Sequence, residues 1–315
     1  MAKIALERTI ESAYRFAFTK FLSVLGVLWL PLLAVCALIA AVAYFAWGDI
    51  SRLSDMATRV AYLPDTGDAL TSRRLDTLLA FWGMAARFGG LIFLAVVLAR
   101  AMVTVGVLRK ALGLHDGPVF AYFSLGAPVW RMAGAMILAT IVIAASVLAT
   151  IVAAGLLLWA NQYMPDSARL LIRAIVIAAA ICWTIYMALR LVFFLPAVVV
   201  AENSMDLTRA WRLGGGNFWR MVIVLVAVVL PVMIVSGIVS NAIFGTYLWM
   251  QIRDAVLSGQ SVPPGRLFSS LAQSLGAIWP AWAVFELIYL ALLTGLGLGA
   301  VAAAYRSVTD TGVPA

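Results

Sequence analysis

Charge is the scarcest resource in this chain. Of 315 residues, 11% are Asp, Glu, Lys or Arg, against about 25% in a soluble domain. So few charges cannot clothe a water-soluble protein of this size, and with 64% hydrophobic residues the composition points to an integral membrane protein. Histidine is nearly absent: His115 stands alone. A catalytic zinc site takes three protein ligands, very often including histidines, so no metal site is expected. The two cysteines, Cys36 and Cys182, lie in separate apolar runs, spaced for neither a metal nor a redox pair, and read as small buried hydrophobes. A secreted disulfide scaffold, a disordered chain and a soluble enzyme are all excluded. No catalytic residue and no cofactor is indicated, because no nucleophile–base constellation is visible.

The net charge of +8 does not indicate nucleic acid. The basic residues are scattered singly or in pairs between apolar runs, as is usual where a span meets the headgroups. The expected partners are membrane lipids, with a protein partner or a second copy also open.

What is abundant is long apolar sequence. A spanning helix needs about 20 apolar residues. Phe21–Gly48, Met132–Pro165 and Met221–Ile252 carry no charge, whereas Leu78–Leu108 contains Arg87 and Arg100, Ala174–Ala201 contains Arg190, and Ile278–Tyr305 contains Glu286. The fold expected is an all-α polytopic helix bundle in a single domain, 1–315, with spans near 21–47, 78–108, 132–160, 174–200, 221–249 and 278–305. Interfacial helices are expected near 4–18, 117–125 and 204–213. In the first of these Leu6, Ile10, Ala13, Ala17 and Phe21 recur at helical spacing, opposite Glu7, Glu11 and Arg15. Six spans place both ends on one side, and the excess of Lys and Arg there predicts cytoplasmic termini in a cell inner membrane. Residues 50–76 read as a short helix on the outer surface. Acidic residues before the first span, and its length, argue against a cleavable signal.

An internal repeat is visible. Trp130-Arg131-Met132 and Trp219-Arg220-Met221 each open a span, preceded by Leu125-Gly126 and Leu213-Gly214; Tyr14-Arg15 and Phe21 match Trp211-Arg212 and Phe218 at equal spacing. The unit is an interfacial helix, a span, an outer loop and a second span, which gives a three-fold hairpin repeat. Gly214-Gly215-Gly216 reads as a helix cap and tight reversal, or as a hinge.

Leu195-Pro-Ala-Val-Val-Val-Ala-Glu-Asn, followed by Ala210-Trp-Arg-Leu-Gly-Gly-Gly-Asn-Phe-Trp-Arg, resembles the six-span membrane domain attached to some bacterial glycerophosphodiester phosphodiesterases and the stand-alone inner-membrane proteins related to it. The resemblance covers this segment in residues and the whole chain in layout. It implies fold and location, and no activity. One histidine cannot furnish the metal-binding set that such a phosphodiesterase needs.

Ionisable groups inside a span cost about 2.5–3.5 kcal/mol at mid-depth and need protein, water or a partner. Arg100 and Arg190 fall at nearly equivalent places in two units. They either snorkel to phosphates and neighbouring carbonyls or form a paired anion site for a lipid headgroup. Arg87 and Glu286 lie at matching depths and are expected to form an inter-helical ion pair. A non-enzymatic membrane protein that binds or organises lipids or envelope components is the function expected. The other is a small secondary transporter using the intramembrane Arg and Glu residues, which a continuous polar cavity linking Arg100, Arg190 and Glu286 would favour. Gly295 and Gly299 form a GxxxG motif that permits close helix approach, and Pro31, Pro196, Pro231 and Pro280 are positioned to kink or end helices.

Overall fold

Each apolar run is helical over most of its described residues, as a chain must be when its backbone groups have no water to bond. In the computed structural model the described residues are 3–61, 68–115, 122–160, 166–242, 253 and 264–309. They form α1 (Leu6–Thr19), α2 (Phe21–Ala61), α3 (Asp68–Ala111), α4 (Ala127–Ala160), α5 (Asp166–Val192), α6 (Leu195–Ala201), α7 (Leu207–Leu213), α8 (Phe218–Ser240) and α9 (Pro264–Thr309), with no strand among the described residues. Among the described residues six stretches are long and apolar enough to cross a membrane: Phe21–Gly48, Leu79–Ala111, Ala127–Trp159, Leu171–Ala201, Phe218–Ser240 and Trp279–Thr309. The chain is a multi-pass all-α membrane protein.

Tryptophans on α4 mark the boundaries. Trp130 and Trp159 are both exposed, and at 1.5 Å per residue they stand about 44 Å apart. That matches the roughly 40–45 Å of a bilayer with its headgroups, where Trp concentrates.

Several expectations are corrected. Residues 50–61 are not a separate short helix: they continue α2, 62–67 lie outside the described residues, and α3 begins at Asp68, so both helices run past their span-forming stretches. The fourth span is broken. A turn at Phe193–Phe194 separates α5 from α6, and Pro196 sits in the first turn of α6, where its missing N–H costs nothing. Pro31, Pro231 and Pro280, by contrast, run inside continuous helices. Most of the helix expected at 117–125 lies outside the described residues, and Tyr122–Leu125 is not helical. The fifth span is described only to residue 242. Cys36 and Cys182 are free thiols on exposed faces rather than buried ones.

Packing is concentrated at the end of the bundle that carries α1, hereafter the terminal face. Val24, Val27 and Leu28 of α2, residues 101–111 of α3, Val129–Ala139 of α4, Leu195–Val199 of α6, Met221–Val228 of α8 and Leu296–Tyr305 of α9 supply the core. Beyond that half the spans are exposed: on α4, residues 140–159 include no buried side chain. The segments expected to open the three units each pack on the preceding helices. Tyr122 packs against Gly106 of α3, α7 packs on α5, and α1 closes the ring by packing on α9.

Helix α1 lays its small residues against α9. Its buried residues are Thr9, Ala13 and Ala17, with Leu6, Ile10, Tyr14 and Phe16 packed at their flanks and Glu7, Glu11 and Arg15 exposed. The small residues meet the GxxxG of α9. A Cβ on Gly299 would stand 3.4 Å from Ala13 Cα, and one on Gly295 would stand 3.4 Å from Ala17 Cα. Small residues on both sides let the two backbones close up where apolar burial gives no drive. The Ile4 amide donates to Asn217 Oδ1 at 3.1 Å, and Arg220 Nη1 donates to the Ile4 carbonyl at 2.5 Å.

Candidate functional site

The last turn of α5 carries Arg190, whose cation suits the carbonyl-rich end of a helix. One turn earlier is Tyr186, on the same helical face. The guanidinium carbon lies 4.0 Å from the Trp211 ring centroid and 5.5 Å from that of Tyr186. Arg190 Nε donates to the Trp211 carbonyl at 3.4 Å, and Nη1 donates to the Tyr186 hydroxyl. Tyr186 is itself held by Trp183, edge-on by Trp211, and by Phe218. Cation–π contact of this kind contributes about 0.5–2 kcal/mol. Arg190 therefore joins α5 to α7 and reaches the terminal face.

The glycine run makes this approach possible. Gly214 caps α7, its amide donating to the Ala210 and Arg212 carbonyls. A Cβ there would meet Arg190 Cγ at 3.0 Å and the Arg190 carbonyl at 3.3 Å. Gly216 has φ +75°, a conformation that a side chain resists, and it turns the chain into α8. Gly215 continues the turn through a bond to the Arg212 carbonyl. Here the run is a cap and reversal.

Arg100 does not join Arg190. It is exposed on α3 and forms no hydrogen bond or ion pair among the described residues. Nor do Arg87 and Glu286 pair: Arg87 is exposed on α3, while Glu286 is half-buried on α9 between the stacked rings of Phe285 and Tyr289 in sequence. Matching depth did not suffice, because the helix faces that carry these residues are set by packing on the other half of the bundle.

A second polar cluster was not anticipated. Between α6 and α7 the chain crosses the terminal face. Glu202 Oε1 accepts from Tyr305 Oη at 2.9 Å and from Arg209 Nε at 3.2 Å. Asn203 adopts φ +55°, which Asn tolerates better than most residues, and its Oδ1 accepts from Arg131. Asp206 caps α7 by accepting from the Arg209 amide at 2.9 Å. This loop ties α4, α7 and α9 together. Its one legible signal was Ala-Glu-Asn, which marked the resemblance without showing a partner for Glu202.

Among the described residues no group of three His, Cys, Asp or Glu side chains could hold a metal ion. The buried polar side chains there are Thr9, Thr104 and Asn217. No protein-family model, curated protein or solved structure matches this chain.

Proposed function

We propose that this chain is a non-enzymatic inner-membrane protein that binds anionic lipid headgroups at its terminal face and organises lipids or envelope components there. One observation carries the reading. Arg190 is fixed by two aromatic rings and two hydrogen bonds, yet Nη2 is claimed by no protein acceptor among the described residues. A half-buried, pre-oriented guanidinium with free donors is suited to a phosphate oxyanion. The likeness of Leu195–Val222 to the membrane domain described above supports the same location, with a cytoplasmic terminal face.

A transporter built on Arg100, Arg190 and Glu286 gains less support, since these residues do not converge and the packed half is almost wholly apolar. Native mass spectrometry from phosphatidylglycerol nanodiscs tests the proposal. Arg190→Ala is expected to weaken phosphatidylglycerol retention about tenfold, the worth of one charge-assisted hydrogen bond. Arg190→Lys should recover only part, having lost the planar stack, and Arg100→Ala should change little. Wild-type retention in a folded Arg190→Ala protein would remove Arg190 from lipid binding.

A further inference from the structure

Beyond the Arg190 site, we infer that Lys20, Lys110 and Arg306 form a separate binding site for a phosphate-bearing anion where α3 ends at the terminal face. Three segments of chain bring these cations together. Lys20 is the elbow between α1 and α2, its amide bonded to the Phe16 carbonyl. One turn into α2, Val24 packs in a cluster with Val107 of α3, and Phe21 lies against the same cluster. One turn past Val107, α3 reaches Lys110 and Ala111, so the Val24–Val107 register sets Lys20 beside Lys110. The close approach of Val27 to Gly106, where an added Cβ would meet Val27 Cγ1 at 2.6 Å, fixes the same register one turn before Lys110. From α9, Arg306 Nη2 donates to the Ala111 carbonyl, which brings a third cation to the same end of α3.

No carboxylate among the described residues neutralises this group. Glu202 is bonded to Tyr305 and Arg209, and Asp206 to the Arg209 amide. Glu7 and Glu11 are on the exposed face of α1. A cation near the end of α3 is favoured by the helix carbonyls, which accounts for Lys110 and for the Arg306 bond. It does not account for Lys20, which comes from another helix and is repelled by the first. Like charges held together by core packing create a standing demand for an anion. A phosphate is the chemistry that two ammoniums and a guanidinium fit, and it can be a lipid phosphodiester or free inorganic phosphate.

The test leaves Arg190 intact, so that its outcome is independent of the lipid site proposed above. The double variant Lys20→Gln/Lys110→Gln is compared with Arg8→Gln/Arg15→Gln, which removes the same charge from the exposed side of α1. In native mass spectra from phosphatidylglycerol nanodiscs, the lysine pair is expected to lose about tenfold in retained lipid, while the arginine pair stays near wild type. Lys20→Arg/Lys110→Arg should retain the lipid. Thermal unfolding adds a sign. In phosphatidylcholine nanodiscs without added phosphate, Lys20→Gln/Lys110→Gln should raise the midpoint by relieving repulsion; in phosphatidylglycerol it should lower it. Titration of inorganic phosphate in phosphatidylcholine separates the sources. A phosphate-dependent rise in the wild-type midpoint that the lysine pair lacks assigns the site to free phosphate, and its absence, with lipid retention lost, assigns it to lipid. Equal losses in the two double variants, or unchanged retention and no phosphate response in the lysine pair, would overturn the site.

Discussion

Tyr14→Phe is expected to cost about 2 kcal/mol of stability, and Pro231→Ala in the same chain is expected to restore most of it. The Tyr14 hydroxyl donates to the Ala227 carbonyl at 2.9 Å. Ala227 lies four residues before Pro231, inside α8. A proline has no N–H and leaves the carbonyl four residues earlier without its helical partner. In a spanning helix that carbonyl cannot turn to water, and an unsatisfied buried group costs about 1–3 kcal/mol. Tyr14 supplies the missing hydrogen from a different helix. Alanine at 231 would supply it from within α8, and Tyr14→Phe should then be nearly neutral. A double-mutant cycle on unfolding in detergent micelles measures the coupling. Strict additivity of the two substitutions would mean that the tyrosine and the proline are unrelated.

Gly299→Leu is expected to be costlier still, about 3 kcal/mol. The first added carbon already stands 3.1 Å from Phe16 Cδ1, 3.4 Å from Ala13 Cα and 3.5 Å from the Ala13 carbonyl oxygen. Phe16 can rotate, but backbone atoms cannot, so a leucine must lift α1 from α9; overpacking of this kind costs about 1–3 kcal/mol by itself. The lift would also strain the Tyr14–Ala227 bond, so Tyr14→Phe should cost little in the Gly299→Leu background. Gly297, two residues earlier on the same helix, meets nothing within 4 Å. Gly297→Leu therefore controls for the loss of a helix glycine and should leave the unfolding midpoint unchanged or higher. Equal effects at 297 and 299 would refute the close approach.

Both results bear on function through α1. The terminal face is assembled by cross-chain pairs: Tyr14 with Ala227, Ile4 with Asn217, Arg306 with Ala111, Tyr305 with Glu202 and Arg190 with Trp211. Lys20 sits at the elbow that follows α1, so displacing α1 would disturb the Lys20–Lys110–Arg306 group, whereas Arg190, held by α5 and α7, should keep its setting.

Some of the site was within reach of the sequence. Tyr186 is one helical turn from Arg190, and Trp211 was already a landmark of the repeat. The stacking of Arg190 on Trp211 required α7 to fold back on α5, which no local spacing reports. The GxxxG of α9 announced a close helix contact, but not that its partner is the alanine face of α1. Conversely, matched depth suggested that Arg87 and Glu286 would meet, and they do not. Distance along a helix is fixed by a rise of 1.5 Å per residue, whereas the direction in which a side chain faces is settled by which neighbour packs against it.

Scarce charge and long apolar runs were enough to read a membrane protein of six apolar spans, because they leave the backbone no other way to satisfy its polar groups. The turn at Gly214-Gly215-Gly216 was legible too, since it answers a local conformational demand. Tertiary structure alone decided that packing gathers at the terminal face, that Tyr14 answers the carbonyl freed by Pro231, and that Arg306 bonds the last carbonyl of α3. Each joins residues far apart in the chain. Helical periodicity gives such residues a depth and a face, and only the packing of one helix on another gives them a partner.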